Sequence, residues 1–239
     1  MTAAVHRAAF HRAILLCLLA GAAFAARAER AHYALDPVHT RVLFSVSHAG
    51  FSQALGTVSG STGTLDFDPD DLRSARVEAS VPLPRLELGD EKWNRAAKKL
   101  LEADAHPRAL FVSTRVEPID ATHATVIGTL TLNGISQEVR LDVTFNQLRR
   151  HPLPPFRRTA GFSATATLSR KAFGITDWPS VIGDAVQLRI EAEAVRARGS
   201  VAEDLDENLP PPEALQLPPD ENLPPPPQPG DASEPPASP

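Results

Sequence analysis

The chain has 239 residues and a formal net charge of −5 at pH 7, and its composition changes sharply near both ends. Residues 1–28 carry +3, the tail from Ser200 carries −9, and the body between them is nearly neutral at about +1. Because phosphate binding needs a dense basic face, this body argues against nucleic acid as a partner. The one cysteine, Cys17, excludes a disulfide framework and a thiolate zinc site.

Residues 1–28 have the pattern of a secretory signal peptide. Arg7 and Arg12 precede an apolar run over 13–20, and small residues follow at the spacing of a cleavage site. The alternative is an uncleaved membrane helix. The apolar run is short for a hydrocarbon core of about 30 Å, and Arg27 ends it, which favours cleavage. We therefore expect a periplasmic or secreted protein without a transmembrane anchor.

The body, residues 29–199, is dominated by a two-residue period. Apolar and polar residues alternate in several segments, which is typical of an antiparallel sheet with one dry and one wet face. Asn133-Gly134 separates two of these segments and predicts a hairpin, and Gly60 and Gly63 stand where a strand could bend sharply. The alternating segments are 41–47, 75–81, 110–116, 125–132, 138–145, 161–168 and 186–194.

Residues 89–104 are the stretch with a clear helical period. One face is charged, Pro107 follows, and the other face carries an apolar stripe. The stripe comprises Trp93, Ala96, Ala97, Leu100 and Leu101. A single helix among about eight strands is expected to cap one end of a closed sheet, whose interior could be packed solid or could hold one slender ligand.

The composition weakly favours a hollow interior. Aromatic residues make up 5% of the chain, and many predicted inward positions are small, which leaves space along a barrel axis. The small positions are Ala79, Gly128, Ala164, Ala166, Ala192 and Ala194. The alternative is an interior filled by phenylalanine, for which the candidates are Phe44, Phe111, Phe145, Phe162 and Phe173.

Motifs for catalysis are absent from the sequence. It contains no Gly-x-Ser-x-Gly elbow, His-Glu-x-x-His motif, P-loop or dinucleotide-binding glycine signature. We expect no enzyme activity, no cofactor and no metal site. His39 and His48 flank the first long strand, where nine residues span about 30 Å, so that they cannot share a metal within it.

Three polar residues of the body nevertheless need an explanation. His39 could bond the backbone of a turn. His48 could simply end a strand, or it could contact a ligand head group at a barrel mouth. Arg170 continues the inward face of 161–168 and would need a buried carboxylate, backbone carbonyls or an anionic ligand group as its partner.

The tail, residues 200–239, is acidic and rich in proline. The segment 206–212 recurs as 220–226, and there are too few large apolar side chains to offset the entropy of ordering. We expect a disordered coil, partly polyproline II. It could be a solvated spacer or a docking strip for a partner with an aromatic groove.

Five pieces of the body, in this order, resemble the YceI family, which comprises exported bacterial proteins that bind polyisoprenoid-type lipids. The pieces are 33–48, 60–68, 99–113, 128–134 and 169–186. The resemblance implies an eight-stranded antiparallel lipocalin-like barrel with an apolar tunnel. It also implies an isoprenoid or fatty amphiphile as ligand, a periplasmic location and frequent homodimerisation.

The family's recurrent positions fall on six residues of this chain. The resemblance makes His39, Phe44, His48 and Arg170 candidate ligand-binding residues, whereas Phe173-Gly174 is expected to be structural. Leu100-Leu101 stands where many members carry paired phenylalanines, and the tail lies outside the family pattern.

The expected function is therefore that of an exported carrier of a long-chain lipid with no chemistry of its own. One alternative is an interaction module with a filled barrel, acting through the tail. The other is an enzyme acting on an isoprenoid, which would need His48 or Arg170 for turnover.

Overall fold

The computed structural model describes residues 30–197. The predicted signal peptide (1–28) and the proline-rich tail (200–239) lie outside the described residues. One α-helix, α1 (Glu91–Leu100), interrupts the strands, and three short 3₁₀ helices occupy Leu72–Ser74, Leu83–Arg85 and Arg170–Phe173. The strands are β1 (Ala31–Leu35), β2 (Arg41–His48), β3 (Ser52–Ser59), β4 (Thr62–Phe67), β5 (Arg76–Pro82), β6 (Leu86–Glu87), β7 (Arg108–Pro118), β8 (His123–Leu132), β9 (Ile135–Arg150), β10 (Arg158–Ser169) and β11 (Ile182–Arg196).

The strands form a closed antiparallel barrel. Its order is β1-β4-β5-β7-β8-β9-β10-β11, and β11 pairs back to β1. β2 lies on the same edge of β11 as β1, pairing with 182–191, whereas β1 pairs with 194–196. The pairs β1/β2, β3/β4 and β5/β6 therefore each act as one interrupted barrel strand. The predicted eight-stranded, mainly β architecture with one helix is confirmed.

The three interrupted strands break at neighbouring positions. Between β1 and β2 the chain makes a turn in which the Thr40 amide donates to the Asp36 carbonyl at 2.9 Å. Between β3 and β4, Gly60 has a positive φ of 78°, and the Arg85 side chain occupies the space that a Cβ would need. Only glycine fits there. The bend predicted at this glycine is confirmed.

The β8–β9 hairpin matches the sequence prediction closely. Asn133 and Gly134 adopt φ values of 52° and 71°, as a type I′ turn requires at both central residues. Leu132 and Ile135 pair directly across the turn. This turn fixes the register of two long strands, so that the apolar residues of both face the barrel interior.

Helix α1 begins at a side-chain cap. Asp90 is the N-cap, and its Oδ1 accepts hydrogen bonds from the amides of Lys92 at 2.9 Å and Trp93 at 3.0 Å. These bonds satisfy two amides that the first helical turn leaves without a backbone partner. The cap thereby fixes the direction in which the Trp93 side chain leaves the helix.

The helix ends earlier than predicted. It stops at Leu100 rather than at residue 104, because Glu102 adopts a left-handed conformation with φ 47°. The following amide, that of Ala103, donates to the Lys98 carbonyl at 2.9 Å, which is the bond of a Schellman cap. Pro107, which the sequence predicts as the stop signal, therefore comes after a helix that has already ended at its backbone cap.

Aromatic side chains pack together near the end of the barrel opposite to α1. The Phe67 ring lies 5.0 Å from that of Phe145 and 5.2 Å from that of Phe162, centroid to centroid, and Tyr33 packs edge-on at 6.4 Å. Leu72, from the 3₁₀ helix between β4 and β5, covers this cluster. The barrel therefore has one end packed with protein side chains and one end covered by the helix.

Candidate ligand-binding cavity

A cavity of about 590 Å³ occupies the barrel between its two ends. Its wall is formed almost entirely by apolar side chains at alternate positions of the strands, as the two-residue period predicts. This volume lies in the range of small-molecule binding sites. The longest runs of lining residues are Val42, Phe44 and Val46 of β2, Val139, Leu141, Val143 and Phe145 of β9, and Val186, Leu188, Ile190 and Ala192 of β11.

The hollow interior predicted from the small inward residues is confirmed. Ala79, Ala164 and Ala192 line the cavity, while Ala194 is fully buried in the packed end. Ala166 is not among the lining residues, and neither is Gly128, where the Phe111 ring takes the space. The alternative of a phenylalanine-filled barrel is wrong. All five candidate phenylalanines line the cavity that remains, and Phe145 and Phe162 pack against Phe67 near one end of it.

Helix α1 covers the cavity with the apolar stripe that the sequence predicts. All five residues of the stripe, Trp93, Ala96, Ala97, Leu100 and Leu101, line the cavity. Leu100 and Leu101 also pack against a cluster that includes Leu188 of β11. These leucines therefore shape the cap of the cavity.

The cavity opens to solvent beside the start of this helix. Trp93 and Trp178 line the cavity, yet 44% of Trp93 and 67% of Trp178 is exposed, so the cavity wall is continuous with the outer surface there. The other residues at this mouth come from the end of β2 and the start of β11. They are Ser47, His48, Val181 and Ile182.

His48 occupies the mouth, where its strand position places it. It ends β2, lines the cavity, and its ring lies 5.4 Å from the Trp93 ring, centroid to centroid. Across the sheet it pairs with Ile182. The half-buried imidazole can therefore reach both the apolar cavity and water, which is the position that a head-group contact needs. Its contact with a ligand stays a prediction.

Phe44 lies deeper, in the wall formed by β2. Its ring lies over Gly56, its cross-strand partner on β3. A Cβ at Gly56 would collide with the Phe44 ring and would lie 2.9 Å from Cδ2 of Leu88. The glycine therefore creates the recess that keeps the ring against the wall and out of the cavity.

Arg170 is buried, with 4% of its surface exposed, and its guanidinium bonds to backbone carbonyls. Nε donates to the Gly183 carbonyl at 2.9 Å, Nη1 to Ile175 at 2.6 Å and Nη2 to Ile182 at 2.8 Å. Of the three partners considered for this residue, the structure shows carbonyls. Arg170 lines the cavity, but these bonds make it a positioning residue that fastens the segment carrying Trp178 to the start of β11.

His39 lies outside the cavity lining. Its exposed ring bonds to the side chain of Asp36, Nδ1 to Oδ2 at 2.8 Å, in the turn between β1 and β2. This hydrogen bond raises the pKa of His39. Partial burial raises the pKa of Asp36, but the bonds from His39 and the Val38 amide outweigh it and lower that pKa overall. The geometry gives His39 a part in the turn, and places it away from a ligand in the barrel.

Glu193 brings a second carboxylate to this turn, 3.9 Å from Nδ1 of His39. Asp36, His39 and Glu193 thus offer three metal-ligating atoms within 4.8 Å of one another. The hydrogen bond between Asp36 and His39 accounts for the arrangement without an ion. It holds the break between the first two strands.

Sequence reasoning did not single out Trp178 as a site residue. It lies in the irregular segment between the last 3₁₀ helix and β11, where no period marks an inward face. It also has a positive φ of 56°. The signal that could have identified it is composition, because Trp93 and Trp178 are the two tryptophans of the whole chain.

Comparison with known proteins gives consistent matches. A family model described as the YceI-like domain matches residues 33–194. A UPF0312 protein of Pseudomonas putida strain W619 is 33% identical over 183 residues, which are 73% of this chain and 91% of that protein.

Solved structures show the same fold. BcnA of Burkholderia cenocepacia matches with a TM-score of 0.58 and 23% identity, over 66% of this chain and 98% of its own. A polyisoprenoid-binding domain from Saccharophagus degradans matches with a TM-score of 0.50 and 12% identity, over 71% of this chain and 100% of its own. Within residues 30–197, none of the helices has the length and apolarity that crossing a membrane would require.

Proposed function

This chain belongs to the YceI-like domain family, and we propose that it sequesters a long-chain isoprenoid or a related amphiphilic lipid in its barrel. The observation that carries the proposal is the cavity of about 590 Å³ inside the barrel, whose wall is almost entirely apolar. The polyisoprenoid-binding domain from Saccharophagus degradans, which has the same fold, supports the choice of ligand class.

The hydrophobic effect supplies the affinity in this proposal. Burial of apolar surface stabilises a complex by roughly 0.8 kcal/mol per CH₂ group. A chain of about twenty carbons would gain more than about 10 kcal/mol before the costs of ordering and association are subtracted. The apolar wall offers this gain to every methylene of the ligand that lies inside the cavity.

The polar groups of the cavity set the orientation of the ligand. Phe67 and Phe145 pack together near one end, where Arg76 and Thr122 also line the cavity, whereas the mouth beside α1 carries His48 and Ser47 between two exposed tryptophans. A lipid would therefore enter with its apolar chain first and leave its head group beside the His48 imidazole. Such a head group keeps its hydration, which avoids the cost of burying a polar group.

The lining of the cavity favours binding over catalysis. Among the described residues, its polar side chains are Thr40, Ser47, His48, Ser61, Arg76, Thr122 and Arg170, and none of these is a carboxylate that could serve as a general base for His48. The guanidinium of Arg170 is already engaged by three carbonyls. The signal peptide predicted for residues 1–28 supports export to the periplasm as the place of action.

Native mass spectrometry of the purified protein tests the proposal. We expect a mass in excess of the polypeptide that is released by organic solvent and identified as a lipid with a long apolar chain. The Ala192→Phe variant, which places a ring inside the cavity, is the matched control and should purify without the bound lipid. Wild-type protein that carries no lipid after purification from cells whose membranes are rich in prenyl lipid would contradict the proposal.

A further inference from the structure

The apolar surface of the cavity continues onto the outside of the protein around the mouth. Three aromatic side chains stand there, and we name them the aromatic rim: Phe51, Trp93 and Trp178. Phe51 is 93% exposed, Trp178 67% and Trp93 44%. The two tryptophans are the full complement of the chain, in which aromatic residues make up 5%. Large exposed aromatic side chains grouped around one opening are typical of an interaction site.

Two backbone hydrogen bonds and one ring contact bring the rim residues together around His48. The Phe51 amide donates to the His48 carbonyl at 3.0 Å, and the His48 ring lies 5.4 Å from the Trp93 ring. Ile182, the cross-strand partner of His48, donates its amide to the Trp178 carbonyl at 2.8 Å. The three aromatic residues come from three separate segments, but one strand end ties them into a single surface.

Two features make this rim rigid. Phe51 follows a tight turn in which Ala49 and Gly50 have φ values of 51° and 75°. Arg170 holds the carbonyl of Ile182 at 2.8 Å, which fastens the segment that carries Trp178. The backbone that carries Phe51 and Trp178 is therefore already positioned in the free protein, which lowers the cost of ordering for an interaction.

A bilayer is the occupant that fits the rim. Tryptophan prefers the interface between hydrocarbon and water, where its ring is buried and its N–H stays hydrated. Charges near the rim are mixed in sign: Lys92 and Arg95 stand beside Asp90, Glu91 and Asp177. Arg95 is paired with Glu91 at 3.0 Å. Because positive and negative charges near the rim balance, we expect the interaction to depend on apolar insertion and not to require anionic lipid.

We propose that the aromatic rim docks on the surface of a lipid bilayer and presents the cavity mouth to it. The inference rests on the proposed function, since an amphiphile with a long apolar chain resides in membranes and crosses water slowly. Docking at the mouth lets the chain pass from the bilayer into the cavity past Trp93 and Trp178, which belong to both surfaces.

Sedimentation with phosphatidylcholine vesicles that contain no prenyl lipid tests the docking. The wild-type protein should partition onto them, and Phe51→Asp should lower the partition coefficient by about tenfold or more, since a phenylalanine loses its burial. Ile119→Asp is the matched control. Ile119 is 70% exposed at the β7–β8 turn, at the opposite end of the barrel, and its substitution should leave partition unchanged.

Tryptophan fluorescence gives a second readout. Because both tryptophans belong to the rim, brominated lipid should quench the emission of the wild-type protein strongly and that of Phe51→Asp weakly. Thermal unfolding of Phe51→Asp verifies that the variant is folded, and Phe51→Ser provides a second substitution. Equal partition and quenching of the wild-type protein and both Phe51 variants would overturn the proposal.

The failure of docking can be separated from the failure of lipid binding. Phe51 does not line the cavity, so Phe51→Asp should bind a prenyl alcohol added from solvent as the wild-type protein does. Ala192→Phe should bind a long-chain prenyl alcohol more weakly than the wild-type protein and still partition onto vesicles. Wild-type protein that binds the alcohol but does not partition would overturn the docking alone. A wild-type dimer that Phe51→Asp converts to monomers, together with an absence of vesicle binding, would also overturn the docking proposal.

Discussion

The imidazole of His48 lies 5.4 Å from the indole of Trp93, at the meeting point of the first long strand and the helix. This contact joins two elements that are far apart in sequence, and it marks the boundary between the apolar cavity and water. On one side of this contact lies the apolar wall of the cavity, and on the other side the protein surface meets solvent. The two residues therefore define the level at which a bound lipid would change from chain to head group.

Replacing His48 by alanine should weaken the binding of a prenyl phosphate by about three- to tenfold, because one hydrogen bond to a charged head group is lost. The binding of the corresponding hydrocarbon should not change. Titration calorimetry with both ligands measures the difference. His39→Ala, on the outer surface, is the control and should leave both affinities at the wild-type value. A larger effect from His39 than from His48 would contradict the placement of the head group.

Replacing Gly56 by alanine should push the Phe44 ring from its recess into the cavity. We expect a loss of about 1–3 kcal/mol in stability from overpacking, together with weaker binding of long chains. Urea unfolding and a prenyl alcohol titration measure the two effects. Gly161→Ala is the matched control, since the atom nearest to its added Cβ is 3.8 Å away on Asn146. Equal changes in stability and in binding for Gly56→Ala and Gly161→Ala would show that the recess at Gly56 has no role.

Replacing Arg170 by methionine should leave three backbone carbonyls without their donor and loosen the segment before β11. The expected loss in the free energy of unfolding is about 3 kcal/mol, and Arg170→Lys should recover little of it because an ammonium group cannot reproduce the planar fork. Fluorescence anisotropy should rise less steeply on cooling if the Trp178 segment has become mobile. Lys171→Ala, at an exposed neighbouring position, should cost less than about 0.5 kcal/mol. Wild-type stability in Arg170→Met would refute the positioning role.

The turn between β1 and β2 should make a small, pH-dependent contribution to stability. The pKa of His39 is raised above its usual 6.5, so its share of the stability is present below that pH and is lost as the pH rises through the folded-state value. The pKa of Asp36 is lowered from 3.8, so its share is present above that pH and is lost as the pH falls through the folded-state value. The pair therefore stabilises most between roughly pH 4 and 6.5.

The magnitude should be a few tenths of a kcal/mol, because the imidazole is more than half exposed and water screens the interaction. Urea unfolding of the wild-type protein and of His39→Gln at pH 5.5 and pH 8 measures it. The stability difference between the two proteins should shrink at the higher pH. A difference that grows as the pH rises would contradict the assignment.

The barrel could be predicted from the sequence because its strands are long and each has one dry face. Val139 to Phe145 and Val186 to Ala192 alternate without interruption, and both runs line the cavity. The helix stripe was equally clear, because one face of α1 meets hydrocarbon and the other meets water. A local sequence pattern predicts the structure where one face meets the same environment along several residues of a strand or several turns of a helix.

The same patterns are less informative where a tertiary contact decides. His39 was a candidate ligand-binding residue through the family resemblance alone, and the structure places its exposed imidazole against Asp36, outside the cavity lining. The partners of Arg170 are carbonyls, which every residue has, so no sequence pattern could identify them. Trp178 lies in a segment without periodicity. The homodimer and the roles of the signal peptide and tail stay predictions.

The measurement that most directly tests lipid sequestration is the affinity of the delipidated protein for prenyl alcohols of increasing length. Each added methylene should strengthen binding by up to about 0.8 kcal/mol until the cavity is full, after which the affinity should level off. Ala192→Phe should level off at a shorter chain. An affinity that does not depend on chain length, in either protein, would show that the barrel cavity is not where the chain binds.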